Sequence, residues 1–200
     1  MVTCLCLTRN RREWLPKAIE AFLAQTYEQR ELLIVADGED ISDLIPSDPR
    51  VRVLISPDGA KIGSKRNQGC AAAAGEIIVH WDDDDYSAPG RIAEQVARLQ
   101  ESGRSVTGYS SMRFTDGERW WLNTNTPLGC FDTSLCYSRE FWAAHHFDEI
   151  SDGEGESFRR AAVIADDLIA VPANAMMHAT IHPGNTSARV IGEGWEEVAG

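Results

Sequence analysis

Apolar-rich runs punctuate the first half of the chain. Val2 to Leu7, Leu32 to Ala36, Val51 to Ile55 and Glu76 to Trp81 each read as a strand. Runs without alternation belong to strands buried on both faces, the kind found in parallel sheets. Between them the period lengthens. Leu15, Ile19, Phe22 and Leu23 mark one face of a helix ending near Gln25, and residues 61–74 form an alanine-rich helix. A third helix follows the fourth strand, with Ser87 as its N-cap, Pro89 in its first turn, Ile92, Val96 and Leu99 on its buried face, and Gly103 as its stop. This β-α-β-α order predicts an α/β fold with a mostly parallel, doubly wound sheet.

The second half is less regular. Residues 104–112 and 118–123 read as strands around the Thr115-Asp116-Gly117 turn, and Leu128 to Tyr137 as another strand. A short helix over 138–145, a helix over 156–164 and strands near 168–171 and 176–182 complete the pattern. No repeat, low-complexity tract or linker interrupts it, so residues 1–200 are expected to form one domain.

Composition narrows the function. A 43% hydrophobic content suits a soluble protein with a full core. Nineteen basic against 31 acidic residues give a net charge of −12. A surface this acidic argues against nonspecific binding to nucleic acid or an anionic membrane. Cys4, Cys6, Cys70, Cys130 and Cys136 are odd in number and form no CxxC pair, which points to reduced thiols. No apolar run approaches transmembrane length, and Thr8-Arg9-Asn10 comes too soon for a signal peptide. A soluble, cytoplasmic chain is expected.

Polar residues gather where the buried strands end. Thr8-Arg9-Asn10 follows the first strand, Asp37-Gly38 the second, and Asp82-Asp83-Asp84-Asp85 the fourth. In an open parallel sheet these ends share one edge and converge on one crevice. Four neighbouring carboxylates repel by roughly 3 kcal/mol per pair at ~6 Å and an effective dielectric of about 20. They form a solvated acidic turn or they hold a hard divalent cation: magnesium, manganese or calcium. An EF-hand is excluded, because its glycine at loop position 6 and glutamate at position 12 are missing. Lys61, Lys65 and Arg66 crowd the N-terminus of the alanine-rich helix, either exposed on a loose first turn or facing a phosphate. Gly59 to Asn67 is not a Walker A loop, and no GxGxxG follows the first strand.

These segments resemble the family 2 glycosyltransferases of the GT-A fold. The resemblance rests on Leu7-Thr8-Arg9-Asn10, Ala36-Asp37-Gly38, the KRNQG of residues 65–69, the GEIIVHWDDDDYSAPGR of residues 75–91 and the HPGNTS of residues 182–187. It implies a nucleotide-binding half over 1–103 and a smaller mixed acceptor-side half over 104–200. It further implies a nucleotide-diphospho-sugar donor, a UDP-sugar above all, with Mn2+ or Mg2+, and transfer with inversion to an acceptor that the sequence does not name. Thr8, Arg9, Asn10 and Asp37 would meet the nucleoside, Asp37 holding the base. Lys65, Arg66 and Asn67 would lie against the donor. Asp84 best matches the metal ligand, with Asp83 or Asp82 near the ribose and Asp85 near the metal or sugar. His182 would close over metal and diphosphate, with His178 as its alternate. The base would be Glu154 or Glu156, with Asp152 as a third candidate. Gly155 departs from the family pattern, which has an aspartate there. Trp120 or Trp121, not both, would face a sugar acceptor. Two rivals stand beside this reading: a sugar-phosphate nucleotidyltransferase, whose glycine-rich loop after the first strand is missing, and a nucleotide-sugar-binding protein without turnover, which Gly155 favours.

Overall fold

The four expected strands are β1 (Val2–Arg9), β2 (Arg30–Asp37), β3 (Val51–Ile55) and β4 (Ile77–His80) in the computed structural model, which describes residues 1–187 and 189–200. They run parallel in the order β3-β2-β1-β4. Every residue of β2 is buried, which is why its sequence is a run and not an alternation. The crossovers are α1 (Leu15–Leu23), α2 (Ile62–Ala72) and α3 (Arg91–Ser102). α1 buries Leu15, Ala18, Ile19 and Phe22, the stripe its period announces. With Ile92, Val96 and Leu99 of α3 these pack on the Cys4 and Cys6 side of β1. Leu5 points the other way, into a second core cluster with Leu33, Val35 and Cys70. There α2 lies close on the sheet, because Gly69 has no side chain to hold it off Leu5 and Val35.

Ser87 does not cap α3. It belongs to β5 (Tyr86–Ser87), whose backbone pairs with β10 (Met177–Thr180), and Gly90 precedes the helix instead. The C-terminal stop is as expected, with Gly103 in the left-handed region at φ 66°.

Beyond α3 the chain adds β6 (Val106–Thr115), β7 (Trp120–Asn123), β8 (Cys136–Ser138), α4 (Arg139–Ala144), α5 (Glu156–Ile164), β9 (Leu168–Pro172) and β11 (Trp195–Val198). The sheet runs β11-β7-β6-β8-β4-β1-β2-β3, and β9 and β10 also pair with β6. β8 is antiparallel to both β4 and β6, so the added half is mixed. The expected strand over 128–137 shrinks to β8. Gly129 at φ 84° and a 3-10 turn at Asp132–Ser134 break it, and the turn brings polar atoms to the end of β4. β11 was not anticipated from the pattern.

All five cysteines are buried and free. Among the described residues no helix is long and apolar enough to cross a membrane.

Candidate active site

Asp82 to Asp85 turn away from the end of β4 at the sheet edge where β1 and β2 also end. The turn is fastened from below. Trp81 is core, its indole N–H donating to Ala18 O at 3.0 Å. Arg91 is fully buried and spends its guanidinium on neutral acceptors: His80 O at 3.0 Å, Thr133 O at 3.4 Å, Ser87 Oγ at 2.8 Å and Gln95 Oε1 at 3.3 Å. One cation therefore ties the strand end to the segment that carries Thr133.

Each aspartate has a different environment. The Thr133 hydroxyl stands 2.6 Å from Asp82 Oδ2 and 2.7 Å from Asp85 Oδ2. It has one proton to give, so both contacts are hydrogen bonds only when one carboxyl is protonated. Burial pushes Asp85 up to about 7, against the pull of Arg189. Asp83 is buried and likewise pushed up to about 7, chiefly by burial. Arg11 Nη1 lies 3.0 Å from Asp83 Oδ1, too poorly aligned for a hydrogen bond, so among the described residues neither Asp83 oxygen has a hydrogen-bond partner. Asp84 is also largely buried, which works to raise it, yet Arg11 and the hydrogen bond from His182 hold it below the usual range.

Arg11 was not anticipated, although it directly follows Arg9-Asn10. Its guanidinium pairs with Asp84 Oδ2 and approaches His182 Nε2 at 3.1 Å. His182 Nε2 is 3.0 Å from Asp84 Oδ2, and Asn185 Nδ2 donates to the same oxygen at 3.2 Å. Gly184 N–H donates to His182 Nδ1 at 3.1 Å, which leaves the ring proton on Nε2. So arranged, His182 is a donor to Asp84. To ligate through Nε2 it would have to move its proton and release Gly184. Trp14 stacks on its ring at 4.4 Å.

The carboxylates fit a hard divalent cation. Asp82, Asp84 and Asp85 offer oxygens within 4.8 Å of one another, and the single Thr133 proton shared between Asp82 and Asp85 is a conflict that a cation would relieve.

Beside this cluster opens a cavity of about 910 Å³. Thr8, Arg9, Asn10, Lys65, Arg66, Asp82, Asp83, Asp84, Glu154, Glu156 and His182 all line it. Asp37 sits behind that wall, fully buried, taking Lys65 Nζ at 2.6 Å, Gly59 N at 3.0 Å and Arg9 Nε at 3.3 Å. Asn10 takes φ 53° and accepts from Glu39 N, fixing the end of β1 against the Asp37-Gly38 turn. Lys65 and Arg66 are buried rather than exposed on a loose turn. Arg66 Nε donates to Glu154 Oε1 at 2.9 Å, and Nη2 reaches Asp132 Oδ2 at 3.4 Å. Asn67 lies outside the lining, its amide committed to Phe147 backbone and Trp142. Asp85 is tucked behind Thr133, with Oδ1 accepting from Thr180 N. Asp152 Oδ1 accepts from Ser187 Oγ at 2.6 Å, joining the loop before α5 to the segment after His182. His178 is elsewhere, stacked on Tyr86 at 4.6 Å and edge-on to Trp120. Trp121 is buried, and Trp120 lines a separate groove with His178. Asp132 and Thr133, hidden inside an expected strand, went unnoticed in the sequence.

Comparison with known proteins identifies the family and the fold. GlyG, a glycosyltransferase of Streptococcus pneumoniae, is 29% identical over 123 residues, 58% of this chain and 41% of the relative. The chain spans about half the length, or less, of the curated relatives it matches. Staphylococcus aureus TarS, solved with UDP-GlcNAc, superimposes with a TM-score of 0.74 at 18% identity over 94% of this chain and 61% of TarS. The mannosyltransferase PcManGT of Pyrobaculum calidifontis, solved with GDP-Man and Mn2+, gives 0.67 at 14% identity over 90% of this chain and 56% of its own. These likenesses identify the fold as GT-A. The family model for glycosyl transferase family 2 matches residues 4–156, from β1 to the start of α5, and the chain belongs to that family.

Proposed function

We propose that the chain transfers a sugar from a nucleotide-diphospho-sugar, a UDP-sugar above all, to an acceptor hydroxyl, with inversion and with Mn2+ or Mg2+. The observation that carries the proposal is the Asp82–Asp84–Asp85 cluster at the ends of parallel strands, opening on a cavity large enough for such a donor. A diphosphate entering a chain of net charge −12 needs positive charge supplied locally. Asp82, Asp84 and Asp85 would hold the cation, which when bound carries the charge that builds on the departing diphosphate. Arg11, freed from Asp83 and Asp84 by that cation, would turn to the phosphates. Thr8, Arg9 and Asn10 would meet the nucleoside, with Asp37 keeping Arg9 and Lys65 in place behind it. His182 and Asn185 would fix Asp84 and close the segment after β10 over the donor. The relatives' bound UDP-GlcNAc and GDP-Man support a donor of this class.

Gly155 favours a second reading, a nucleotide-sugar binder without turnover. One experiment addresses both. UDP should stabilise the protein against heat in Mn2+ and not in EDTA, and Mn2+-loaded protein should release UDP slowly from a UDP-sugar. Equal stabilisation by UDP in EDTA would overturn the metal-dependent site, and binding without release would select the second reading.

A further inference from the structure

Four acidic side chains outside the aspartate turn line the cavity along residues 130–133 and 151–159: Asp132, Asp152, Glu154 and Glu156. Three are committed or fully wetted. Asp152 is exposed and tied to Ser187, Glu156 is exposed at the start of α5, and Glu154 is buried against the guanidinium of Arg66. Asp132 differs. Its side chain is a quarter exposed, and its Oδ1 lies buried with no hydrogen-bond partner among the described residues, Arg159 Nε being 3.6 Å away. Oδ2 is loosely held, with Arg66 Nη2 at 3.4 Å and His80 Nδ1 at 3.8 Å.

The place that Asp132 occupies is informative. A Cβ added at Gly155 would overlap Asp132 Oδ1 and stand 2.7 Å from its Cγ. The carboxylate thus fills the space that a side chain at position 155 would take, and it can do so only because 155 is glycine. We propose that Asp132, admitted by the bare Gly155, is the group that takes the proton from the attacking acceptor hydroxyl. The inference rests on the transferase reading above.

The step balances. The acceptor oxygen forms its bond to the anomeric carbon while its proton passes to Asp132 Oδ2. The bond from that carbon to the diphosphate oxygen breaks, and its electron pair leaves with the nucleoside diphosphate. Asp132 later returns the proton to water. Burial pushes its carboxyl up to about 6, with Arg66 pulling the other way, which suits a group that must both accept and release a proton near neutral pH. The charges that bear on it are Arg66 from α2, Glu154 and Arg159 from the segment at α5, Asp82 from the turn after β4, and the neighbouring His80, which burial keeps neutral.

The test uses UDP-glucose, UDP-N-acetylglucosamine and GDP-mannose with Mn2+, with water as acceptor, and reads nucleoside diphosphate release beside calorimetric affinity for UDP–Mn2+. Asp132→Asn should lower release about 100-fold or more while changing that affinity no more than about twofold. Gly155→Ala, which keeps the carboxylate but displaces it, should cost about 10-fold to 100-fold in release. The double variant Asp132→Gly/Gly155→Asp returns a carboxylate to the same space and should release at least about tenfold faster than Asp132→Gly alone. Unimpaired release by Asp132→Asn overturns the inference. So does a double variant no faster than Asp132→Gly, which would make Asp132 only an ion-pair partner of Arg66 and Arg159. A wild type that binds UDP–Mn2+ yet releases nothing from any of the three donors overturns the transferase reading itself and the inference with it.

Discussion

Up to Gly103 the chain contributes to the cleft from strand ends and the start of α2, whereas beyond it the contributions come from turns, loops and the start of α5. Thr8, Asp37 and the four aspartates each sit at the end of a buried parallel strand, so their positions follow from a sheet whose register the core fixes. Asp132, Thr133, Glu154 and His182 sit in a 3-10 turn and two loops, held by side-chain hydrogen bonds and ion pairs. The first kind of placement resists change one side chain at a time, and the second depends on individual contacts. On the proposed function the two halves therefore predict different failures: loss of cation and donor binding in the first, loss of turnover or closure in the second.

The sharpest test of that division is Asp84→Asn. It removes the carboxylate on which Arg11, His182 and Asn185 converge. Because a bound ion contributes several kcal/mol, turnover should drop about 10³-fold, with Mn2+ affinity falling alongside it in an electron paramagnetic resonance titration. Intact Mn2+ binding would remove Asp84 from the cation seat.

Next comes the joint between the halves. Arg91→Met strips hydrogen-bond donors from His80 O and Thr133 O. Buried carbonyls left unpartnered should reduce stability by about 3 kcal/mol in urea unfolding, and the slackened turn should weaken Mn2+ about 10-fold to 100-fold. If only stability moved, the two halves would be positioned independently of this residue.

Acidity offers a finer probe. Asp85 keeps its proton up to about 7, and on the proposed reading a bound cation would have to displace it. Mn2+ affinity should therefore fall about tenfold for each pH unit below 7, with proton release visible by calorimetry in buffers of different ionisation enthalpy. In metal-free protein the sign for folding is the reverse of the familiar carboxylate case. An unfolded aspartate ionises near 3.9 while folded Asp85 holds its proton to about 7, so its contribution to stability declines as pH rises through that window. Asp48, lowered to about 2 by its bonds with Arg50, acts oppositely, losing its contribution only as pH falls below about 4.

The smallest expected effect lies at the exposed Ser187–Asp152 link. Ser187→Ala should cost under about 1 kcal/mol in stability and raise the donor KM about threefold, leaving kcat unchanged. A fall in kcat instead would give that loop a share in the chemistry.

How far the sequence revealed all this follows the same division. Strands β1, β2 and β4 were legible because double-sided burial writes itself as a run. β3, with Arg52, Val53 and Ile55 exposed, showed only as a short apolar-rich segment, and the aspartates stood out by repetition. Lys65 and Arg66 looked equally at home on an exposed turn because their partners are remote: Asp37 is 28 residues from Lys65, and Glu154 is 88 from Arg66. Ser87 resembled a helix cap since nothing nearby discloses that β10, some 90 residues on, claims its backbone. Asp132 was invisible for a related reason. Its meaning lies in the emptiness at Gly155, and no local period records which distant side chain a glycine makes room for.

The distribution of sulfur has a practical consequence. Cys4, Cys6 and Cys136 belong to one core cluster, Cys70 and Cys130 to the second, and burial raises every one of these groups above its usual ionisation range. An alkylating reagent can capture each only when its surroundings open. Pulse labelling followed by mass spectrometry would then time the opening of these two core clusters in a single tube, without any introduced probe.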